Sequence, residues 1–131
     1  MSKRKKFIIG MIIAVFLFVG GSALHQLVSS LRYINNLVIS TPDLSRIQDG
    51  VFNGTFETPI LSANVDVLME NHRITEIRIN DHNYGRGGGA EIITDDVIAQ
   101  QSLEVDTISG ATSSSLVILR AIQDALESGI N

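Results

Sequence analysis

The sequence predicts an α+β domain, with a small antiparallel sheet and two helices, preceded by an N-terminal transmembrane helix. Three features support this class: an uncharged apolar segment near the N-terminus, alternating apolar residues in the middle of the chain, and apolar residues at helical spacing towards the end. Strands that precede helices are typical of an α+β domain with an antiparallel sheet. We predict four segments: a basic tag, a transmembrane helix, a helical stalk and a folded domain, at residues 1–6, 7–24, 25–41 and 42–131.

The apolar segment at residues 7–24 contains 18 residues and no charge. A membrane-spanning helix needs roughly 20 apolar residues, so this length is sufficient. The lysines at residues 3–6 favour a cytoplasmic N-terminus with the remainder of the chain outside. A cleaved signal peptide is the alternative, with residues 7–19 as its apolar part and residues 21–23 as a small-residue cleavage site. The length of the apolar segment favours a retained anchor.

The helical pattern continues beyond the apolar segment. Leu27, Leu31, Ile34 and Val38 recur at spacings of three and four residues. We interpret residues 25–39 as a helical stalk with no role beyond spacing. The helix is expected to end before Pro42, because the residue before a proline is disfavoured in the helical region.

The domain sequence predicts a hairpin followed by two helices. Residues 51–57 are predicted as a strand, and residues 63–69 alternate apolar and polar side chains as a half-buried strand does. A turn at Asn71 and His72 leads into a third strand around Ile77 and Ile79. The rest is predicted as a glycine-rich loop, a helix, a short extended segment and a last helix, at residues 82–89, 90–101, 103–108 and 113–127.

Charge and composition exclude several classes of function. Five basic and no acidic residues precede Ser40, whereas five basic and fourteen acidic residues follow it, so the two parts carry +5 and −9. An acidic domain repels phosphate backbones, so no nucleic-acid partner is expected. The chain has no cysteine, which excludes disulfides and thiolate metal sites. The histidines His25, His72 and His82 lack metal-ligand spacing, so we predict no metal site.

The glycines at residues 85 and 87–89 are the first candidate for a phosphate loop. A Walker loop needs Gly-Lys-Ser/Thr at the start of a helix, and no lysine follows Lys6. A dinucleotide loop needs a preceding parallel strand. We therefore interpret this stretch as a flexible connection, with His82 as a histidine that lies near a possible site.

The most informative stretch is residues 106–115, where small hydroxyl residues lead into the last helix. The start of a helix has unpaired N–H groups and a partial positive charge. Serine and threonine at this place are ordinary capping residues. The same geometry attracts a phosphate, and the small Gly110 and Ala111 would let it approach closely. Both interpretations are compatible with the residues alone.

The pattern Asp106-x-x-Ser109-Gly110-Ala111-Thr112 resembles the flavinylation motif of FMN-binding domains. Such domains occur in the C and G subunits of sodium-pumping NADH:quinone oxidoreductase and Rnf-type complexes, and in small membrane-anchored bacterial proteins. The resemblance covers residues 49–126, including an opening Asp-Gly-aromatic pattern at residues 49–54. It implies that Thr112 is esterified to the phosphate of FMN by a flavin transferase, which takes FMN from FAD and releases AMP.

The resemblance also implies what surrounds Thr112 and what the protein does. Asp106, Ser109, Gly110 and Ala111 are the residues that the transferase would recognise, with Ser113 beside the cofactor. His82 and Tyr84 are expected near the flavin ring.

The implied protein is an electron carrier of the bacterial cell membrane rather than a stand-alone enzyme. It would have a single membrane span, an extracytoplasmic domain and an unspecified redox donor and acceptor. Two alternatives remain, namely a non-covalent FMN-binding module and a structural membrane-tethered partner without flavin.

Overall fold

The structure is a computed structural model that describes residues 1–83 and 88–130, and it confirms the α+β class. Three antiparallel strands form one sheet, with two helices of the domain and a long apolar helix at the N-terminus. Two single-turn 3₁₀ helices cover Leu44–Arg46 and Gly88–Ile92. The helices and strands are α1 Lys3–Asn35, β1 Gly50–Glu57, β2 Ser62–Glu70, β3 Arg73–Asn83, α2 Ile93–Gln100 and α3 Thr112–Ser128.

Helix α1 is a single helix of 33 residues that is long and apolar enough to cross a membrane. The apolar side chains at residues 7–24 are exposed, and Phe16 retains 80% of its accessible surface. The helix ends at Asn35, earlier than the predicted stalk. There the N–H of Leu37 bonds to the carbonyl oxygen of Ile34 at 3.0 Å, which closes the last turn. Leu37 and Ile39 then pack against the core of the domain instead of extending a helix.

The sheet has the order β1-β2-β3, and the alternation in β2 is confirmed. Ala63, Val65, Val67 and Met69 are buried, while the residues between them are half-buried. The apolar face of β2 is thus the centre of the core, because the side chains of a strand alternate between the two faces of a sheet.

Strand β3 extends further than the sequence predicts. It includes His82, which was expected in a glycine-rich loop. Two residues of β3, Thr75 and Asn80, have no partner in β2. Their neighbours on either side pair with successive residues of β2: Ile74 and Glu76 in the first case, and Ile79 and Asp81 in the second. A bulge residue reverses which later side chains face inward. The second bulge therefore turns His82 towards the core.

Helix α3 packs across β1 and β2. The close approach depends on Gly54, where a Cβ atom would lie 2.1 Å from the carbonyl oxygen of Ala121 and 2.4 Å from the nitrogen of Ala125. No other side chain fits between strand and helix at this point. The buried side chains of α3 complete the core: Val117, Ile118, Leu119, Ala121, Ile122, Ala125 and Leu126.

Two predicted elements differ in the structure. The helix predicted at residues 90–101 is a 3₁₀ turn followed by the shorter α2. The segment at residues 103–108 does not pair as a strand with any described residue. Side chains accept its N–H bonds instead: Leu103 donates to Thr41 Oγ1 at 2.9 Å and Ile108 to Ser115 Oγ at 3.0 Å. This segment leads directly to the start of α3.

Candidate functional site

The predicted motif forms a tight turn before α3. The N–H of Ala111 donates to the carbonyl oxygen of Ile108 at 2.9 Å, which places Ser109 and Gly110 at the two central positions. Gly110 has a φ of +79°. A type II turn requires a positive φ at its third residue, which glycine adopts without strain. The backbone conformation of the turn therefore favours glycine at position 110, independently of any ligand.

Among residues 1–83 and 88–130, no side chain caps the start of α3. Its N-cap residue is Ala111, which offers no oxygen to the first-turn N–H groups. Those groups have no acceptor inside the helix. The interpretation of the Ser/Thr cluster as helix caps is therefore not realised, and the first turn keeps the free donors and positive potential that suit an anion.

Ser115 braces the turn from inside the protein, and the sequence did not point to it. Its hydroxyl is fully buried, accepts from the N–H of Ile108 at 3.0 Å and donates to the carbonyl oxygen of Ala111 at 2.7 Å. A serine that bonds back to the residue four positions earlier is common within helices. The bond to Ile108 is the additional feature, and only the folded turn reveals it.

Thr112 is the first residue of α3, and its side chain is exposed. In the described part of the chain its hydroxyl makes no hydrogen bond. A Cβ atom built on Gly110 would meet none of the described residues within 4 Å, so the space beside the turn is open with respect to them. An accessible hydroxyl, an open approach and uncapped N–H groups fit the phosphate end of FMN.

The other motif residues lie around this opening. Asp106 and Ser109 are exposed on the outer side of the turn. Ser113 donates a hydrogen bond from its hydroxyl to Asn35 Oδ1 at 3.0 Å. Asp106 and Ser109 thus lie in the segment that leads to α3, Thr112 and Ser113 are the first two residues of α3, and Ser113 ties the start of the helix to the end of α1.

His82 lies in a different environment. Its side chain is fully buried, and its Nδ1 is 3.4 Å from Glu91 Oε1. Burial lowers the pKa of His82 below its ordinary value, and Glu91 opposes part of this shift. Glu91 is thus one partner of His82. Tyr84 and the glycines 85 and 87, the other predicted flavin neighbours, lie outside the described residues.

The comparisons with known proteins identify the family of the domain. The FMN-binding domain family model matches residues 55–127, more than half of the chain. Urocanate reductase of Eggerthella lenta is 35% identical over 66 residues, which are 48% of this chain and 11% of that protein. The chain therefore spans a small part of that relative. No solved structure matches significantly. The chain belongs to the FMN-binding domain family and is a flavoprotein with FMN as its cofactor.

Proposed function

We propose that this protein is a membrane-anchored electron carrier that holds FMN through a phosphoester on Thr112. The observation that carries the proposal is the exposed Thr112 hydroxyl at the uncapped start of α3, beside the open space at Gly110. A hydroxyl that served only to cap the helix would accept a backbone N–H bond, and Thr112 makes none with the described residues.

The proposed modification is a phosphoryl transfer that a flavin transferase catalyses. Thr112 Oγ1 attacks the phosphorus on the FMN side of the pyrophosphate of FAD. One P–O bond forms at Thr112, the P–O bond to AMP breaks, and the hydroxyl proton leaves with the AMP phosphate or a base of the transferase. No electrons are exchanged in this step. Thr112 is consumed as an attachment point, so it takes no part in later redox chemistry.

The residues around Thr112 would each contribute to holding the cofactor. The free N–H groups of the first turn of α3 donate to phosphate oxygens, and the helix dipole favours their negative charge. Gly110 leaves room for them, and Ser115 keeps the turn in place. Bound FMN supplies one-electron or two-electron redox chemistry, and the protein orients it.

The anchor determines where electrons are exchanged. Basic residues 3–6 precede the apolar part of α1, and this asymmetry supports a cytoplasmic N-terminus with the domain on the extracytoplasmic side of a bacterial membrane. A single flavin needs a donor and an acceptor. The similarity to part of a protein named as a reductase is in keeping with a domain that delivers electrons to a reduction carried out elsewhere.

Intact mass tests the attachment. Full-length wild-type chain and Thr112→Ala, each co-produced with a flavin transferase, are compared with Thr107→Ala, a threonine of the same loop. We expect the mass of FMN less water on the wild type and on Thr107→Ala, and no addition on Thr112→Ala. Flavin on Thr112→Ala would show that the ester is elsewhere. Flavin that is released from the wild type on denaturation would indicate a non-covalent module.

Asp106→Ala tests recognition by the transferase. Asp106 is exposed and makes no recorded hydrogen bond within the described residues, so its removal should leave the stability of the domain nearly unchanged. We expect the flavinylated fraction to fall severalfold at a fixed transferase concentration. Asp95→Ala, an exposed acidic residue of α2, is the matched control. Equal labelling of the two variants would exclude Asp106 from recognition.

A further inference from the structure

The last turns of α1 are part of the folded domain. Ile34 is fully buried, and Ser30 retains 7% of its accessible surface. The ring of Tyr33 stacks on Phe56 of β1, with centroids 6.4 Å apart and planes at 22°. A helix that buries side chains in a domain cannot swing freely against it, so the segment that the sequence suggests is a spacer acts as a rigid joint.

Hydrogen bonds reinforce this joint at α3. Ser113 Oγ donates to Asn35 Oδ1 at 3.0 Å, directly beside Thr112. Ser40, in the connection that follows, donates its N–H to Gln123 Oε1 at 3.4 Å. Both ends of the joint are thus tied to α3, and the first of these bonds lies at the start of the helix.

The rise of α1 sets the height of these contacts above the membrane. Measured along the helix from Leu24, Ser29 lies about 8 Å and Asn35 about 16 Å beyond the apolar segment. The headgroup layer extends about 5–8 Å beyond the hydrocarbon on each side. A groove of about 260 Å³ separates α1 from the β1–β2 turn, and its lining includes Ser29, Thr58 and Pro59. The β1–β2 turn therefore lies at the outer edge of the headgroups.

Helix α3 runs antiparallel to β1. Arg120 lies over the ring of Phe56 near the end of β1. Asp124 accepts the N–H of Thr55, and Gly129 lies against Phe52 near the beginning of the strand. The start of α3 is therefore at the same end of the domain as the β1–β2 turn. The turn between β2 and β3 is at the opposite end of the domain. Eight residues of strand separate it from the β1–β2 turn by about 26 Å.

We propose that the motif end of the domain, defined by the β1–β2 turn and the start of α3, is docked towards the lipid surface by α1, with Asn35 as a positioning residue. The location of the flavin in this arrangement rests on the proposed attachment to Thr112. Electrons then enter or leave at the membrane surface. The orientation of the domain itself depends only on the contacts of α1.

The chain has no cysteine, so a single introduced cysteine can carry a fluorescent probe and no native cysteine has to be replaced. The probe is attached at Pro59→Cys on the β1–β2 turn or at Glu70→Cys, an exposed position at the other end of β2. The full-length chain is reconstituted into phosphatidylcholine vesicles that contain nitroxide on a fraction of the headgroups. We expect at least twofold stronger quenching at residue 59 than at residue 70. Equal quenching would overturn the proposed orientation.

Asn35→Ala tests the positioning role. We expect it to reduce the difference in quenching between the two probes, whereas Asn35→Asp, which keeps an acceptor for the Ser113 hydroxyl, should restore it. The matched control is Asn36→Ala, because this neighbouring asparagine makes no recorded side-chain hydrogen bond with the described residues. A full difference retained in Asn35→Ala would exclude Asn35 as a positioning residue.

The fluorescence of the flavin separates this proposal from the proposed attachment. In flavinylated chain, quenching of the flavin should fall between that of the probes at residues 59 and 70. Stronger quenching at residue 59 than at residue 70, in a chain that never acquires flavin, would support the docking and refute the attachment. Equal probe quenching in a chain that does carry flavin on Thr112 would refute the docking and leave the attachment intact.

Discussion

At the scale of single residues, the turn that presents Thr112 depends on a serine outside the motif. Ser115 is fully buried, and its hydroxyl joins the N–H of Ile108 to the carbonyl oxygen of Ala111. A buried N–H that loses its acceptor costs about 1–3 kcal/mol. Ser115, which the motif does not include, therefore holds the turn that contains the motif in one shape.

Ser115→Ala should lower the free energy of unfolding by about 1–3 kcal/mol, because the N–H of Ile108 is left without a partner. It should also reduce the rate of flavinylation, since the turn is less well ordered. Denaturant unfolding of the full-length chain in detergent and a labelling time course measure the two effects. Ser114→Ala is the control, a neighbouring buried serine at the start of α3 whose side chain makes no hydrogen bond with the described residues. Similar losses of stability and of flavinylation rate in both variants would contradict the role of Ser115 in holding the turn.

His82 gives the stability of the domain a dependence on pH. Burial lowers the pKa of His82 below the ordinary value of 6.5, so the unfolded chain binds a proton more readily than the folded chain. The stabilising contribution of the neutral imidazole is fully present above pH 6.5 and is lost as the pH falls through the lower pKa of the folded state. Glu91 moderates this loss because it favours the charged form.

We therefore expect the wild-type free energy of unfolding to decrease as the pH falls below about 6.5, more steeply than that of His82→Gln. The difference between the two curves isolates His82 from His25 and His72, which both chains retain. Denaturant unfolding at several pH values between 5 and 8 measures it, a range that covers ordinary histidine titration. Parallel curves would show that His82 has the same proton affinity in both states.

At the scale of elements, the contact between β1 and α3 is set by one glycine. A Cβ atom on Gly54 would lie 2.1 Å from the carbonyl oxygen of Ala121, and a backbone atom cannot move aside as a side chain does. A Cβ atom on Gly110, by contrast, would meet none of the residues that the structure describes within 4 Å, and Gly110 has a φ of +79°. The two glycines are thus needed for different reasons, which are close packing at Gly54 and backbone conformation at Gly110.

Gly54→Ala should separate α3 from the sheet and destabilise the fold by about 3 kcal/mol or more. Gly110→Ala should cost only about 1–2 kcal/mol, because the strain of a left-handed residue is its single penalty. Thermal unfolding followed by circular dichroism compares them. Gly110→Asn is the control, since asparagine tolerates this conformation better than alanine. An equally mild effect at both positions would contradict the close approach of α3.

An element can be predicted from the sequence when its pattern is local, and it cannot when contacts with other elements decide its structure. The alternation in β2 is a local property of the chain, and the burial of Val65 and Val67 confirms it. The inward turn of His82 depends on bulges opposite β2, which no period in the sequence of β3 reveals. Residues 103–108 were predicted as extended, but the N–H of Leu103 bonds to Thr41, 62 positions away, and that of Ile108 bonds to Ser115 in α3.

At the scale of the whole molecule, the apolar helix and the domain family could be predicted from the sequence, whereas the packing of the helix against the domain could not. The uncharged segment and the motif are each an unbroken stretch of sequence, so each could be recognised from its own residues. The contact of Ser113 with Asn35 joins residues 78 positions apart. Periodicity in residues 25–39 indicates a helical face but does not state what covers it. The structure shows that the domain covers it at Ser30 and Ile34.

The packing of α3 across the sheet also has a consequence for biosynthesis. This helix follows all three strands in the chain and supplies buried residues on which β1 and β2 rest. A chain that emerges from its N-terminus onwards lacks that half of the core until α3 has been made. The turn before Thr112 is shaped by Ser115, which belongs to the same late helix. Attachment of the cofactor is therefore expected to follow synthesis and folding, so a nascent chain is a poor substrate for the transferase.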